Sequence, residues 1–487
     1  MNRYAPTKPQ RIRDPLHNLI EFGFRFDDQI EHAVWAALQT RPFQRLRRVR
    51  QLGFSELVYP GATHTRFAHS LGVFHTARRL MDAIKRHVES HGGRYLHHQA
   101  NVALAAALVH DVGHGMFSHA FEEVGKTLNL KMAHHEHVSD ALIRDSEIKR
   151  AFEELGLNFA DEVADVISRG RPGNLYDAVV SSQFDADRLD YMRRDRLMTG
   201  AQGSGIDFDW LIANLEIGSV PYGVDEQAMK PIETFVLGPK AFHAAEAYVL
   251  ALFQLYPTVY LHKTTRAAEK LFSAMMIRLI ALAQKGDWAK TGLPEKHPII
   301  RFALDPNSLE RAQALDDTVF WGALPMLAEA DDPLICQGAL RMRDRRLPKC
   351  VDIRSKITPP VPANRVRSAE ERSEEKKRAD RLKERITIRL KEWAEKNSPA
   401  VPRILIDSAS RTPYKPFKQT TGPLNQILIR TVDGNIRDMA ECSPVVSGIE
   451  TFEVFRAYVD ENDVDAKSLV NKVVEEEIGS ENNVRQA

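Results

Sequence analysis

Apolar residues return every three or four positions through most of the first 290 residues, the spacing that lines one face of an α-helix. The stretches IEHAVWAALQTRPFQRLRRVRQLG, HSLGVFHTARRLMDAIKRHV and HAAEAYVLALFQLYPTVYLHKTTRAAEKLFSAMMIRLIALAQ each predict amphipathic or buried helix. Strand-like runs are few in this part, ELVYP being the best candidate. Residues 345–365 include KITPPVPANR and predict a connector, because proline and the residue before it both leave helical geometry. Residues 366–397 are densely charged, yet Leu382, Ile386, Leu390 and Trp393 form one stripe, which predicts a solvated helix with a single packed seam. After Pro402 the pattern alternates: PRILIDS and LNQILIRTVDGNIRDMA predict strands, with VDGN as a hairpin turn. ETFEVFRAYV predicts a closing helix, and the last dozen residues a frayed polar end. The expected fold is mainly α, a helical body with a smaller α+β C-terminal lobe. It is divided as a 1–290 core, a 291–400 helical extension with a charged linker or helix, and a 401–487 lobe.

Composition narrows the function classes. With 43% hydrophobic and 27% charged residues in 487, the chain reads as a globular protein of two or three lobes. A formal net charge of +1 argues against coating nucleic acid by bulk electrostatics, so no nucleic-acid partner is required. The three cysteines, Cys336, Cys350 and Cys442, share no CxxC spacing, which fits a reducing compartment and excludes a cysteine zinc site. Neither an apolar leader nor a run of about 20 apolar residues occurs, so the expected location is cytoplasmic, with no membrane partner.

The chemistry concentrates at HDVGHGMFSH, residues 110–119, directly after the apolar run NVALAAALV. Histidines at a helix end can cap carbonyls and face water, or they can bind an ion. Divalent cations that handle phosphates take imidazole and carboxylate ligands with open positions. Suitable groups occur in the order His69 in THTRFAHSLGV, His110 with Asp111, and Asp187 in SSQFDADRLDYMRRD.

RDPLHNLIEF, RPFQRLRRVRQLG, YPGATHTRFAHSLGV, LVHDVGHGMFSHAFE, AHHEHVS and FDADRLDYMRRD together resemble the HD-domain phosphohydrolase superfamily. The nearest likeness is to the dNTP triphosphohydrolases that include the mammalian SAM- and HD-domain dNTPase and bacterial dNTPases. That resemblance implies a helical HD-domain body whose metal ligands are His69, His110, Asp111 and Asp187. The ion it implies is Mg²⁺, Mn²⁺ or Fe²⁺, with Zn²⁺ a further candidate. It makes His119 the proton donor to the leaving oxygen, His114 a phosphate contact, and His135 with Glu136 a second histidine-acid pair. Periodicity alone does not choose His135 over His134 or His137. Gly113 and Gly115 then serve to turn the backbone closely around a phosphate.

The implied reaction is metal-dependent hydrolysis of a deoxynucleoside triphosphate to deoxynucleoside and tripolyphosphate. A divalent ion lowers the pKa of water far below ~15.7, and a histidine with a pKa near ~6.5 suits a leaving oxygen. Arg66, Arg188 and Lys263 match the cations on the triphosphate. Gln51, Leu52, Tyr191 and Tyr260 match the groups around the sugar, with Asp195 at the 3′-hydroxyl. Leu52 and Tyr260 are equally the kind of residue that simply fills a core. The pattern departs twice: VLALFQLYPTVY lacks the usual phosphate-binding arginine, and Gln39 stands where an aspartate reads an activating guanine. Arg45 and Arg47 are retained, implying a basic patch for an activating nucleotide in a homo-oligomer, expected to be a tetramer. Two other functions compete, a phosphohydrolase for a monophosphate, cyclic or signalling nucleotide, and a non-catalytic nucleotide sensor. Control of dNTP pools and antiviral defence would use the same chemistry.

Overall fold

The computed structural model describes residues 8–24, 29–203, 205–222, 230–358, 368–397, 400–416 and 422–486. The chain is mainly helical with several small sheets. It forms two compact units that interleave along the sequence instead of following three consecutive segments. The first comprises Met1–Tyr260, Asp305–Phe320 and Thr412–Glu450, and the second Leu261–Leu304, Trp321–Arg411 and Thr451–Ala487.

The first unit is built around the helix His97–Val109. Its NVALAAALV run is buried on every side, from Val102 through Val109, as expected for a helix apolar all round. Against it pack Arg66–Ser90 and Phe159–Arg169, while Ala186–Thr199 lies along Arg66–Ser90. HDVGHGMFSH therefore begins where the central helix ends, inside the bundle. An antiparallel hairpin, Gln10–Asp14 with Asn18–Phe22, covers one side, and Phe22 stacks on Phe74 at 5.6 Å. The sequence pattern does not announce this hairpin, nor the strands Leu215–Tyr222 and Lys230–Leu237. The latter pair joins Leu428–Arg430 and Ile436–Asp438 in a four-stranded sheet. VDGN does form the expected hairpin, with Leu428 opposite Asp438.

ELVYP is not a strand: Gly53–Leu57 is a 3₁₀ turn, with Ser55 N–H bonded to Leu52 O and Val58 N–H to Ser55 O, so its polar groups close locally. The first long helix breaks at Thr40, where Pro42 opens the separate turn Arg41–Arg45.

In the second unit ETFEVFRAYV is likewise a strand, Phe452–Val459, and not a helix. It is the central strand between Lys349–Asp352 and Ile404–Arg411, and pairing on both edges with burial on both faces erases the alternation that marks a half-exposed strand. The charged segment is the expected helix, Ala369–Asn397, with Leu382, Ile386 and Leu390 buried. Its partner is the chain's end, which is ordered helix, Val464–Gln486, and not a frayed tail. Arg381, Arg385 and Arg389 pair there with Glu476, Glu477 and Glu481, which is why that end looks polar. The connector holds the strand Lys349–Asp352 and the turn Arg354–Ile357. Most of its proline run lies in 359–367, outside the described residues.

Candidate metal and proton-transfer site

Four side chains from three helices converge. His69 stands on Arg66–Ser90, His110 and Asp111 follow the central helix, and Asp187 opens Ala186–Thr199. Nε2 of His69 lies 2.9 Å from Asp187 Oδ1 and 3.7 Å from Asp111 Oδ2. Nε2 of His110 lies 3.6 Å from the same Asp187 oxygen and 3.4 Å from Asp111 Oδ1. Both Nε2 atoms are buried without a hydrogen-bond partner.

The other ring nitrogens are committed. His69 Nδ1 donates to Asp190 Oδ2 at 2.9 Å and His110 Nδ1 to Ala107 O at 3.0 Å. With Nδ1 committed, each ring turns its Nε2 toward the two carboxylates, the arrangement that a second tier of acceptors gives metal-binding histidines. Asp187 and Asp190, three residues apart on one helix, thus face the two nitrogens of one imidazole. Asp190 is itself held by His17 Nε2 (2.7 Å) and by Arg194 (2.8 and 3.0 Å), which also binds Asp14. Gly72 makes room for this cluster, since a Cβ there would lie 2.0 Å from Asp190 Oδ1.

Electrostatics favour a cation. Burial opposes charge on His69, but Asp187 and Asp190 outweigh it and raise its pKa to about 10. His110 is raised too, against burial, by Asp111 and Asp187. Burial also works against ionising Asp187 and Asp111, yet the histidines hold the first well below the usual carboxylate range, and Arg66 with His110 and His114 the second. Carboxylates that draw a proton onto an imidazole draw a metal ion to the same lone pair, the two competing for it. His69, His110 and Asp187 each bring a ligand atom within 4.8 Å of the others, a donor set that fits a divalent ion with open positions, with Asp111 beside them and bonded to Arg66.

Beside this pocket lies a second histidine group. His114, buried, stacks on His135 at 3.9 Å between ring centroids, and its Nε2 is 3.2 Å from Asp111 Oδ1. Burial, then Arg66 and His135, push its pKa well below 6.5, so it is neutral. Glu122 accepts from His119 Nδ1 at 3.1 Å and from His135 Nδ1. Those bonds hold the Glu122 carboxyl far below its usual range despite its burial. The His119 side chain is 63% exposed, open to a substrate. It is Glu122, and not Glu136, that pairs with His119 and His135; Glu136 is exposed. Adjacency to His135 suggested Glu136, whereas the His119-x-x-Glu122 spacing on a helix start was the signal to read.

The remaining expected residues divide. Arg66 donates to Asp111 Oδ2 at 2.5 Å and to Ser118 Oγ at 2.8 Å. Tyr260 donates to Asp195 Oδ2 at 2.8 Å, and His64, which the sequence reading passed over, binds the other oxygen at 2.7 Å. Tyr191 stands between His69 and Tyr260, at 6.5 and 6.1 Å. Arg188 is half-buried, 4.0 Å from Asp185. Gln51 has its Oε1 buried without a partner, and Leu52 packs on the core. Lys263 is exposed at the start of Lys263–Gln284 in the second unit.

Two expectations need correction. Gly113 and Gly115 do not open space for a phosphate. A Cβ on Gly113 would meet His135 O and Ser139 N at 2.3 Å, and one on Gly115 would meet Phe121 at 3.0 Å, so they let neighbouring helices close on the turn. Arg45 is no surface cation: it is 3% exposed and donates to Leu315 O, Val112 O and His114 O. Arg48, in the same run, is neutralised by Asp316 at 2.7 Å. Arg47 is exposed, with its guanidinium 3.5 Å from the Phe67 ring, and Gln39 is half-buried.

Residues 66–192 match the HD domain family, and residues 227–291 the HD associated region. The chain carries an HD domain. Its His-Asp pair is His110–Asp111, and all four converging side chains fall inside the matched span. Among relatives, the uncharacterized protein YwfO of Bacillus subtilis is 32% identical over 56% of this chain and 57% of its own length. A protein of Dictyostelium discoideum named deoxynucleoside triphosphate triphosphohydrolase SAMHD1 homolog is 30% identical over 55% of this chain and 49% of its own. The chain thus spans about half the length of these curated relatives. A phosphohydrolase from Bacteroides thetaiotaomicron, 26% identical, superimposes with a TM-score of 0.66 over 93% of this chain and 100% of that one. The chain therefore shares the fold of that protein. Among the described residues no helix is long and apolar enough to cross a membrane.

Proposed function

We propose that the protein is a divalent-metal-dependent dNTP triphosphohydrolase. The observation that carries this reading is the pair of buried, unpartnered Nε2 atoms of His69 and His110 aimed at Asp187 and Asp111, with His119 and Glu122 alongside. Relatives named for that activity supply the substrate class. His69, His110, Asp111 and Asp187 would hold the ion, Mg²⁺, Mn²⁺ or Fe²⁺ being the expected choices. When bound, it supplies Lewis acidity toward water and a phosphoryl oxygen.

The chain's own groups do the rest. Glu122 fixes the Nδ1–H of His119, leaving Nε2–H to protonate the 5′ oxygen as the bond from α-phosphorus to that oxygen breaks. Water's hydroxyl ends on phosphorus, giving deoxynucleoside and tripolyphosphate. His114, neutral, faces the same phosphate, and His135 stacks behind it. Arg66 and Arg188 are the proposed triphosphate contacts. Gln51, Leu52 and Tyr191 are proposed to close around the sugar. Tyr260, whose hydroxyl is tied to Asp195, is proposed to exclude a ribose. Activation by a second nucleotide in a homotetramer, in the cytoplasm, is the outermost part of the reading. With Arg45 committed to carbonyls, it rests on Gln39 and Arg47.

The test is purified protein with Mg²⁺ or Mn²⁺ and each dNTP, alone and in pairs, with products separated by ion exchange. Tripolyphosphate and deoxynucleoside are expected. Release of pyrophosphate or orthophosphate would overturn the substrate reading in favour of another nucleotide phosphohydrolase, and metal binding without turnover would favour a sensor.

A further inference from the structure

The turn that delivers His119 is strained. Phe117 and Ser118, neither of them glycine, both have positive φ, 49° and 50°, and the helix His119–Leu128 starts directly after them. Such backbone persists only where surroundings over-determine it. The surroundings come from residues 305–320, which fold into the first unit although they lie outside both matched spans. Asp317, 2% exposed, accepts from Phe117 N–H with Oδ1 at 2.7 Å and from Arg50 N–H with Oδ2 at 2.8 Å. The Phe117 ring lies stacked on Phe54 at 3.9 Å, with Phe320 edge-on at 5.3 Å. Arg45 ties the same two stretches together, bonding Leu315 O on one side and Val112 O and His114 O on the other. On the pocket side, Ser118 Oγ accepts from Arg66.

We propose that Asp317, far along the chain from the HD domain, is a positioning residue. Its carboxylate clamps the Phe117–Ser118 turn and so sets the direction of the His119 imidazole. The inference rests on the reading of His119 as proton donor. A carboxylate is needed because both partners are N–H donors: in Asp317→Asn one oxygen becomes NH₂ and faces a donor. Released, the turn relaxes and His119 swings from line with the leaving oxygen. A displacement of about 1 Å costs on the order of 10²-fold in rate.

The test compares a dNTP, whose alkoxide needs protonation, with bis(p-nitrophenyl) phosphate, whose leaving group does not. His119→Ala, Asp317→Asn and Phe320→Leu are assayed with metal content and thermal melting recorded. Asp438→Asn serves as a control, since this buried carboxylate accepts from Ala440 N–H at 2.8 Å and from Tyr414 OH at 2.9 Å, away from the turn. Asp317→Asn is expected to lower kcat for the dNTP on the order of 10²-fold, with KM and metal content kept and the nitrophenyl ester almost unaffected. Phe320→Leu should show the same selectivity, weaker, and keeps the question open to measurement if Asp317→Asn does not fold. Equal losses on both substrates, or losses matched by Asp438→Asn at equal melting temperature, would overturn the proposal. If His119→Ala itself lacks the leaving-group selectivity, the proton-donor reading fails. If His119→Ala has it and neither turn variant does, only the positioning role fails.

Discussion

The two halves of the site are built differently. The proposed metal half stands on long helices, and each histidine has its outward nitrogen tied, His69 to Asp190 and His110 to Ala107 O. Behind Asp190 lies a buried network of His17, Arg194 and Asp14. The proposed proton half hangs on a two-residue strained turn, and its key imidazole is largely exposed, with Nδ1 bonded to Glu122. Ligands that must meet at one point are served by rigid, desolvated elements. A donor that must reach a substrate oxygen has to be open, so its aim comes from the turn beneath it.

The contrast breaks most visibly under truncation of the metal half. His110→Ala should take turnover to background while the fold persists, because one half-buried side chain at a helix end is lost and the all-apolar central helix is untouched. Near-normal turnover in that variant would remove the metal from the mechanism. Truncating the proton half is expected to be milder. His119→Ala should lower kcat by on the order of 10²–10⁴ and leave a residual rate, as for other general acids. A pH–rate profile identical to the parent's would remove His119 from that role.

A third variant weakens the metal half without touching a ligand. Asp190→Asn keeps the volume but loses the charge that fixes the His69 tautomer, and metal affinity should fall by about 10–100-fold. Isothermal titration with Mn²⁺ measures it, and an unchanged affinity would make the buried network merely structural. The smallest effect concerns the hairpin that carries His17. His75, whose ring lies 4.8 Å from that of His17, has its pKa lowered from 6.5 to about 4, by burial first and then by His17, Arg78 and Arg79. Between those values the unfolded chain binds a proton that the folded chain refuses. Stability is therefore full above about 6.5 and declines as pH falls toward 4. In His75→Gln the melting temperature should vary less over that window, and an unaltered slope would assign the acid sensitivity elsewhere.

The convergence of His69, His110, Asp111 and Asp187 was legible in the sequence because these residues sit in short dense motifs on helices with clear periodicity. The proton half was legible only in part. His114, His119 and His135 were named, but the acid was sought next to His135 in sequence instead of one turn after His119. What escaped depends on contacts far apart in the chain: His17 on Asp190, His64 on Asp195, and Asp317 on Phe117. Arg45 misled for a related reason, since a basic run reads as surface until carbonyls from residues 112, 114 and 315 close on it. The strand Phe452–Val459 was hidden because burial on both faces removed its alternation.

The separation of the two halves is tested most directly by metal analysis of the parent, His110→Ala and His119→Ala proteins, purified identically and loaded with Mn²⁺. The account predicts about one tightly held equivalent per chain in the parent and in His119→Ala, and far less in His110→Ala, although both variants are impaired in hydrolysis. Loss of the ion from His119→Ala, or its full retention by His110→Ala, would contradict the division of the site into a metal half and a proton half.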